Sequence, residues 1–252
     1  MAIDSGPRPA ARALAAPTRA ARTYPRRNPM TFAYLLVILA GLLVLTRLLS
    51  GPAADHLKIT ISTNPHNMAH APLEVLLASP LFTATDSGLL SHLLIIGGGV
   101  GICMAALERR MGAGRTAALF LLANTIATAA ATSVAAAAIH SGRYPAKWWD
   151  GYDYGISYGV LATAATVTPL VPRKLRLLWA AGVFAYPFVS VQWFGLLPNF
   201  ATIGHETAAA FGLAAGCFLL RADRGATGLE PGERPDSRST AVAATPPSTP
   251  SA

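Results

Sequence analysis

Long apolar runs broken by short polar turns fill the middle of the chain. Six can be marked, at approximately residues 32–49, 87–107, 116–139, 155–171, 177–197 and 200–220. Each is close to the roughly 20 residues with which a helix crosses about 30 Å of hydrocarbon, and the fourth is the shortest. Tight links join runs two to three, four to five and five to six, which forces antiparallel neighbours. The pattern predicts an all-α polytopic membrane protein, a six-helix bundle over residues 31–221. Small residues crowd the third and sixth runs, in AATSVAAAA and TAAAFGLAAG. Ala and Gly let helix backbones approach closely in lipid, where no hydrophobic force drives helices together.

The flanks read differently. Residues 1–30 are rich in Ala, Arg and Pro without apolar periodicity, and residues 222–252 end in STAVAATPPSTPSA. Both read as disordered tails. Met30 stands directly before the first run and is an alternative start to Met1. A cleaved signal peptide at 32–49 is disfavoured, because the basic stretch before it is long and SGPAAD makes a poor cleavage site. Arg26 and Arg27 lack the rest of a twin-arginine signal. The loop at 50–85 holds APLEVLLASPLF, apolar but too short to span, which suits an interfacial element. Tyr144, Trp148, Trp149, Tyr152 and Tyr154 in the next outer loop suit an aromatic belt at the interface.

Composition supports lipid as the solvent. The chain of 252 residues is 52% hydrophobic and 13% charged, and the apolar runs are almost free of charge. A net charge of +8 would suit nucleic acid, but the basic residues flank apolar runs and form no face interleaved with stacking aromatics. Nucleic acid is therefore not an expected partner. Of the 20 Lys and Arg, 16 fall on one side of the implied topology and Arg47, Lys58, Arg143 and Lys147 on the other. The positive-inside rule then places both termini in the cytoplasm of a cell-membrane protein. Cys103 and Cys217 both lie in apolar runs, as small hydrophobes. No cofactor motif and no metal-ligand set is present in the sequence.

Few ionisable residues interrupt the runs: His92, His205 and Glu206, with Ser157 beside them as a hydroxyl nucleophile. Each even-numbered run enters from the outer face. At about 1.5 Å per residue, His92, Ser157 and His205 therefore share a layer within roughly 3–8 Å of the outer helix ends. That set suits acyl transfer, in which a neutral histidine takes the proton of a serine. His92 and the backbone N–H groups at the start of the fourth helix would serve an oxyanion, and Gly155 would let a substrate approach. The competing readings are structural. A membrane-helix serine often bonds its own i−4 carbonyl, and a histidine often caps a helix. Asp153 reads as loop solvation, although it or Glu206 would complete a triad by orienting a histidine. Glu108, at a cytoplasmic helix end, is expected to be hydrated.

These residues resemble the rhomboid family of intramembrane serine proteases over about residues 32–221. The likeness is greatest to divergent rhomboid-like proteins of the actinobacterial, high-GC Gram-positive type, as DSGLLSHLL and DYGISYG suggest. The family's Gly-x-Ser-Gly motif is matched by Gly155-Ile156-Ser157, with Tyr158 in place of the last glycine. His205, Ala208, Gly212 and Gly216 follow the sixth-helix pattern, and His92, Glu108 and Gly112 that of the second helix. The resemblance implies a Ser157–His205 dyad, assisted by His92 and Gly155, with Glu108, Gly112, Gly212 and Gly216 structural. It implies a transmembrane protein as substrate, met in the lipid bilayer. Departures are Ile96 where an oxyanion-donating Asn is common, Leu161 where an aromatic packs on the histidine, and the missing Trp-Arg pair of the first outer loop. They leave two alternatives in view, a non-catalytic scaffold that binds membrane helices and a small transporter.

Overall fold

The computed structural model describes residues 21–226 apart from 87 and 190, with side chains to Leu220. Most of residues 1–30 and of 222–252 lie outside the described residues. Within them, the chain is helical at residues 21–27 (α1), Pro29–Leu43 with a wider turn to Leu48 (α2), and Gly51–Ile61 (α3). Pro65–His70 (α4) and Pro72–Ala78 (α5) follow in the first long connection. Gly88–Met111 (α6), Ala113–His140 (α7), Ser157–Thr166 (α8), Arg173–Ala185 (α9) and Phe200–Ala226 (α10) make up the rest. A two-residue hairpin pairs β1 (Trp193–Phe194) with β2 (Leu197–Pro198) before α10.

Among the described residues, four helices are long and apolar enough to cross a membrane: Pro29–Leu48, Gly88–Met111, Ala113–His140 and Phe200–Leu220. The six similar spans of the sequence pattern are thus four full-length helices and two short ones. The fourth run gives a helix of only 10 residues and one 3₁₀ turn, Thr168–Leu170. The fifth gives 13 residues, beginning at Arg173 and stopping where Pro187 enters a 3₁₀ turn. Its remainder runs into the hairpin, whose turn uses Gly195 at φ +64°. The bundle's outer surface is apolar: Leu177 is 82% exposed and Phe218 75%. Water would not tolerate such a coat, and hydrocarbon solvates it.

The short α8 is the hub. Eight of its ten residues are buried, from Tyr158 to Thr166. Glycines make this possible. A Cβ at Gly212 would collide with the Ala162 carbonyl, one at Gly216 with the Thr166 carbonyl, and one at Gly159 with the Phe120 ring of α7. The backbones of α8 and α10 therefore touch, and Thr166 Oγ1 donates across that contact to Gly212 O at 2.9 Å. A residue one methyl larger would separate the helices that carry Ser157 and His205.

The end of the bundle that carries Glu108 is tied by polar contacts. Glu108 is buried rather than hydrated, 6% exposed. Its two oxygens accept from Met30 N and Thr31 N, both at 2.9 Å, which satisfies orphan N–H groups at the start of α2. Arg109 Nη1 donates to Asn28 Oδ1 at 2.7 Å, and Tyr24 Oη to Gly101 O at 2.7 Å. Residues 21–30 are thus packed on α6, so the folded region begins ahead of the boundary at 31. Gly112, at φ +86°, makes the tight turn from α6 to α7. At the other end the aromatic belt is corrected in part. Tyr144 is 3% exposed, its hydroxyl donates to Pro198 O, and Trp148 packs edge-on against Phe194 and Phe200. These rings seat the hairpin on the bundle, while Tyr152 is 55% exposed.

Candidate functional site

A cavity of about 650 Å³ opens between the start of α6, the turn after α9 and the first turns of α8 and α10. Ser157 and His205 both line it, with Ser91, Leu94, Ile156 and Pro187 among their neighbours. Ser157 is the first residue of α8. No side chain caps that helix start, and its first backbone bond runs from Val160 N to Ile156 O at 2.9 Å. The N–H groups of Ser157, Tyr158 and Gly159 thus have no helical partner, which makes a site for negative charge. Ser157 does not follow the i−4 reading. The carbonyl it would bond, that of Asp153, accepts instead from Thr63 N at 2.6 Å and Thr63 Oγ1 at 2.7 Å.

Gly155 sets the approach to Ser157. Its φ of +121° suits glycine, and a Cβ there would meet Phe82 O at 3.3 Å. Its N–H donates to Ser79 Oγ at 3.0 Å, so Gly155 shapes the turn and has no N–H left for an oxyanion.

His205 sits one turn into α10, and its Nδ1 lies 2.6 Å from Ala201 O. A carbonyl only accepts, so Nδ1 carries the proton and Nε2 keeps a lone pair. No hydrogen bond joins the ring to Ser157 Oγ. Such bonds are often long before substrate arrives. The imidazole packs edge-on against Tyr158, with centroids 4.7 Å apart and planes at 70°. Tyr158 Oη donates to Asp153 Oδ2 at 2.9 Å, and Thr63 Oγ1 donates to the same oxygen at 3.2 Å. Burial pushes the Asp153 carboxyl up to about 6, against the opposing effect of those two donors. Asp153 is therefore a half-buried, hydrogen-bonded residue and not a freely solvated one, and it reaches His205 only through Tyr158. The aromatic expected at Leu161 is supplied by Tyr158, while Leu161 packs with Val183 and Ala209.

His92 is not brought to the site. Its Nδ1 bonds Gly88 O at 2.7 Å, within its own helix, and it does not line the cavity. Depth was matched, but rotation was not. Ser91, Leu94 and Ile95 form the face of α6 turned to the cavity, and His92 lies about 100° round from Ser91. Ile96 likewise is not in the lining. Glu206 is also turned away, with Oε1 buried and unpartnered. Further polar residues line the cavity, among them Ser91, Tyr186, Asn199 and Thr202. Ser91 Oγ lies 3.5 Å from Tyr186 Oη across the cavity mouth. Asn199 Oδ1 accepts from Thr202 N at 3.1 Å and so caps α10, an N-cap signal that was legible three residues ahead.

Gly212 and Gly216 lie along α10 against α8, as described, and Glu108 and Gly112 close the opposite end of α6. Among the described residues no three His, Cys, Asp or Glu side chains are grouped to hold a metal ion. A protein-family model described as a rhomboid-like protein matches residues 23–227. No curated protein and no solved structure matches the chain.

Proposed function

The chain belongs to the rhomboid-like protein family, and on that premise we propose that it is an intramembrane serine protease with Ser157 as nucleophile and His205 as general base and acid. The observation that carries this reading is the shared cavity wall, with a serine at an uncapped helix start and a histidine holding a free Nε2. Ser157 Oγ attacks the scissile carbonyl as His205 Nε2 takes its proton. The tetrahedral oxyanion is held by the unpaired N–H groups of the first turn of α8, without His92. His205 returns the proton to the leaving amine, and water then releases the acyl group by the same route. Residues of the cavity wall that face outward, Leu90 at 70% and Val189 at 82% exposure, suit a mouth open to hydrocarbon. The substrate is accordingly a transmembrane segment unwound near the outer leaflet and admitted sideways.

The test is labelling by a fluorophosphonate, followed by cleavage of a reporter transmembrane helix in liposomes. Wild type is expected to react, and Ser157→Ala and His205→Ala each to lose both signals. The double variant is expected to be no worse than either, because a dyad acts as a unit. Folded wild-type protein that neither labels nor cleaves across pH 6–9 would overturn the assignment.

A further inference from the structure

The position after the serine holds a large ring in a crowded place, and the surroundings are cut to fit it. Tyr158 is 3% exposed, yet its ring stands against the His205 imidazole at 4.7 Å. Room for it comes from Gly204, the residue before His205, where a Cβ would run into the Tyr158 ring. Its hydroxyl is not left unpaired: Asp153 Oδ2 accepts at 2.9 Å. Asp153 is in turn fixed from the first outer connection, since Thr63 donates to its carboxylate and its carbonyl. Asn64 Nδ2 adds a bond to Gly151 O at 3.1 Å. Ring and tether lie five residues apart, the anchor comes from the first outer connection, and all converge beside an imidazole carried on α10. The other restraint described for that imidazole is the Nδ1 bond to Ala201 O, which leaves the ring free to swing about it.

We propose that Tyr158 is a positioning residue for His205, its ring fixing the plane of the imidazole and its hydroxyl locked by Asp153 and Thr63. The inference rests on the dyad reading for its catalytic meaning. Tyr158 does not touch the reacting atoms. It restrains the imidazole that shares the cavity wall with Ser157, and a base displaced by about 1 Å loses on the order of 100-fold in rate. Asp153 acts through Tyr158, since no bond links it to the histidine.

Two measurements on the full chain in detergent test this. The first is the ring-current shift of the His205 imidazole in histidine-labelled protein, assigned with His205→Ala. Tyr158→Leu is expected to shift that resonance, and Tyr158→Phe and Asp153→Ala to move it part of the way, because each frees the ring without removing it. The second is reporter cleavage. Tyr158→Phe is expected to lower kcat by about 10-fold with KM unchanged, and adding Asp153→Ala is expected to cost nothing more. Tyr158→Phe changes one oxygen, so thermal unfolding like that of wild type will show that the effect is not loss of fold. A His205 resonance indifferent to Tyr158→Leu would overturn the proposal. So would a kcat unchanged in Tyr158→Phe, or equal falls in kcat and thermal stability. Wild type that is inert to cleavage and labelling would sink the protease reading alone, because the His205 resonance still decides whether Tyr158 and Asp153 hold the ring.

Discussion

Asp153 carries a stability signature at acid pH. Burial lifts its carboxyl from an ordinary 3.8 to about 6, so the folded state holds a proton that the unfolded state has released. A raised value of this kind favours folding at low pH, and the benefit fades as pH climbs from about 4 through 6. Thermal unfolding of the wild type should therefore drop across that interval relative to Asp153→Asn. The difference should be at most about 3 kcal/mol. Parallel curves would mean that the carboxylate is hydrated after all. The same residue marks what the sequence hid. Ser157 and His205 line one cavity, and their common depth is what helix rise alone predicts. Rotation about each helix was not legible, so His92 was placed at a site from which α6 turns it away. Tyr158 read as the loss of a glycine. Its partner space at Gly204 lies on another helix and cannot be inferred from local pattern.

Among elements, α8 is the one whose character the sequence conveyed least completely. Its apolar run was visible and visibly short, but only contact with α10 explains how ten residues suffice. Backbone contact at Gly212 leaves no room for a side chain, since the neighbour there is a carbonyl that cannot swing aside. Gly212→Ala should cost about 1–3 kcal/mol of stability in detergent and lower labelling of Ser157 with it. Gly182→Ala on α9, where nothing lies within 4 Å of the added carbon, should be neutral or stabilising by up to about 1 kcal/mol. Equal effects from the two substitutions would show that the α8–α10 contact is loose. The fifth run misled for a different reason. Its composition is continuous from 177 to 197, but Pro187 and Gly195 end the helix and turn the chain into a hairpin.

At the scale of the molecule, the apolar coat and the alternation of long helices with tight turns were legible from hydropathy alone. The packed segment at 21–30 was not, because Tyr24 and Asn28 reach partners 77 and 81 residues away in the chain. The 16-to-4 distribution of Lys and Arg predicts which side faces the cytoplasm. Reporter fusions after Arg110 and after Arg173 should read cytoplasmic, and a fusion within 141–154 should read external. An external signal from the 172–176 turn would invert α8 and remove the outer-leaflet location of Ser157.

The enclosure of α8 also bears on how the protein is made. Ten residues rise about 15 Å, half of what a bilayer requires, so this stretch has little to gain from lipid on its own. The surfaces that receive it include Gly212 and Gly216, which the ribosome adds only some fifty residues later. The packing that encloses α8 is therefore completed only when the last helix arrives. The hydroxyl at Ser157 and the imidazole at His205 are brought together at the end of biogenesis, so an unfinished chain carries no assembled pair.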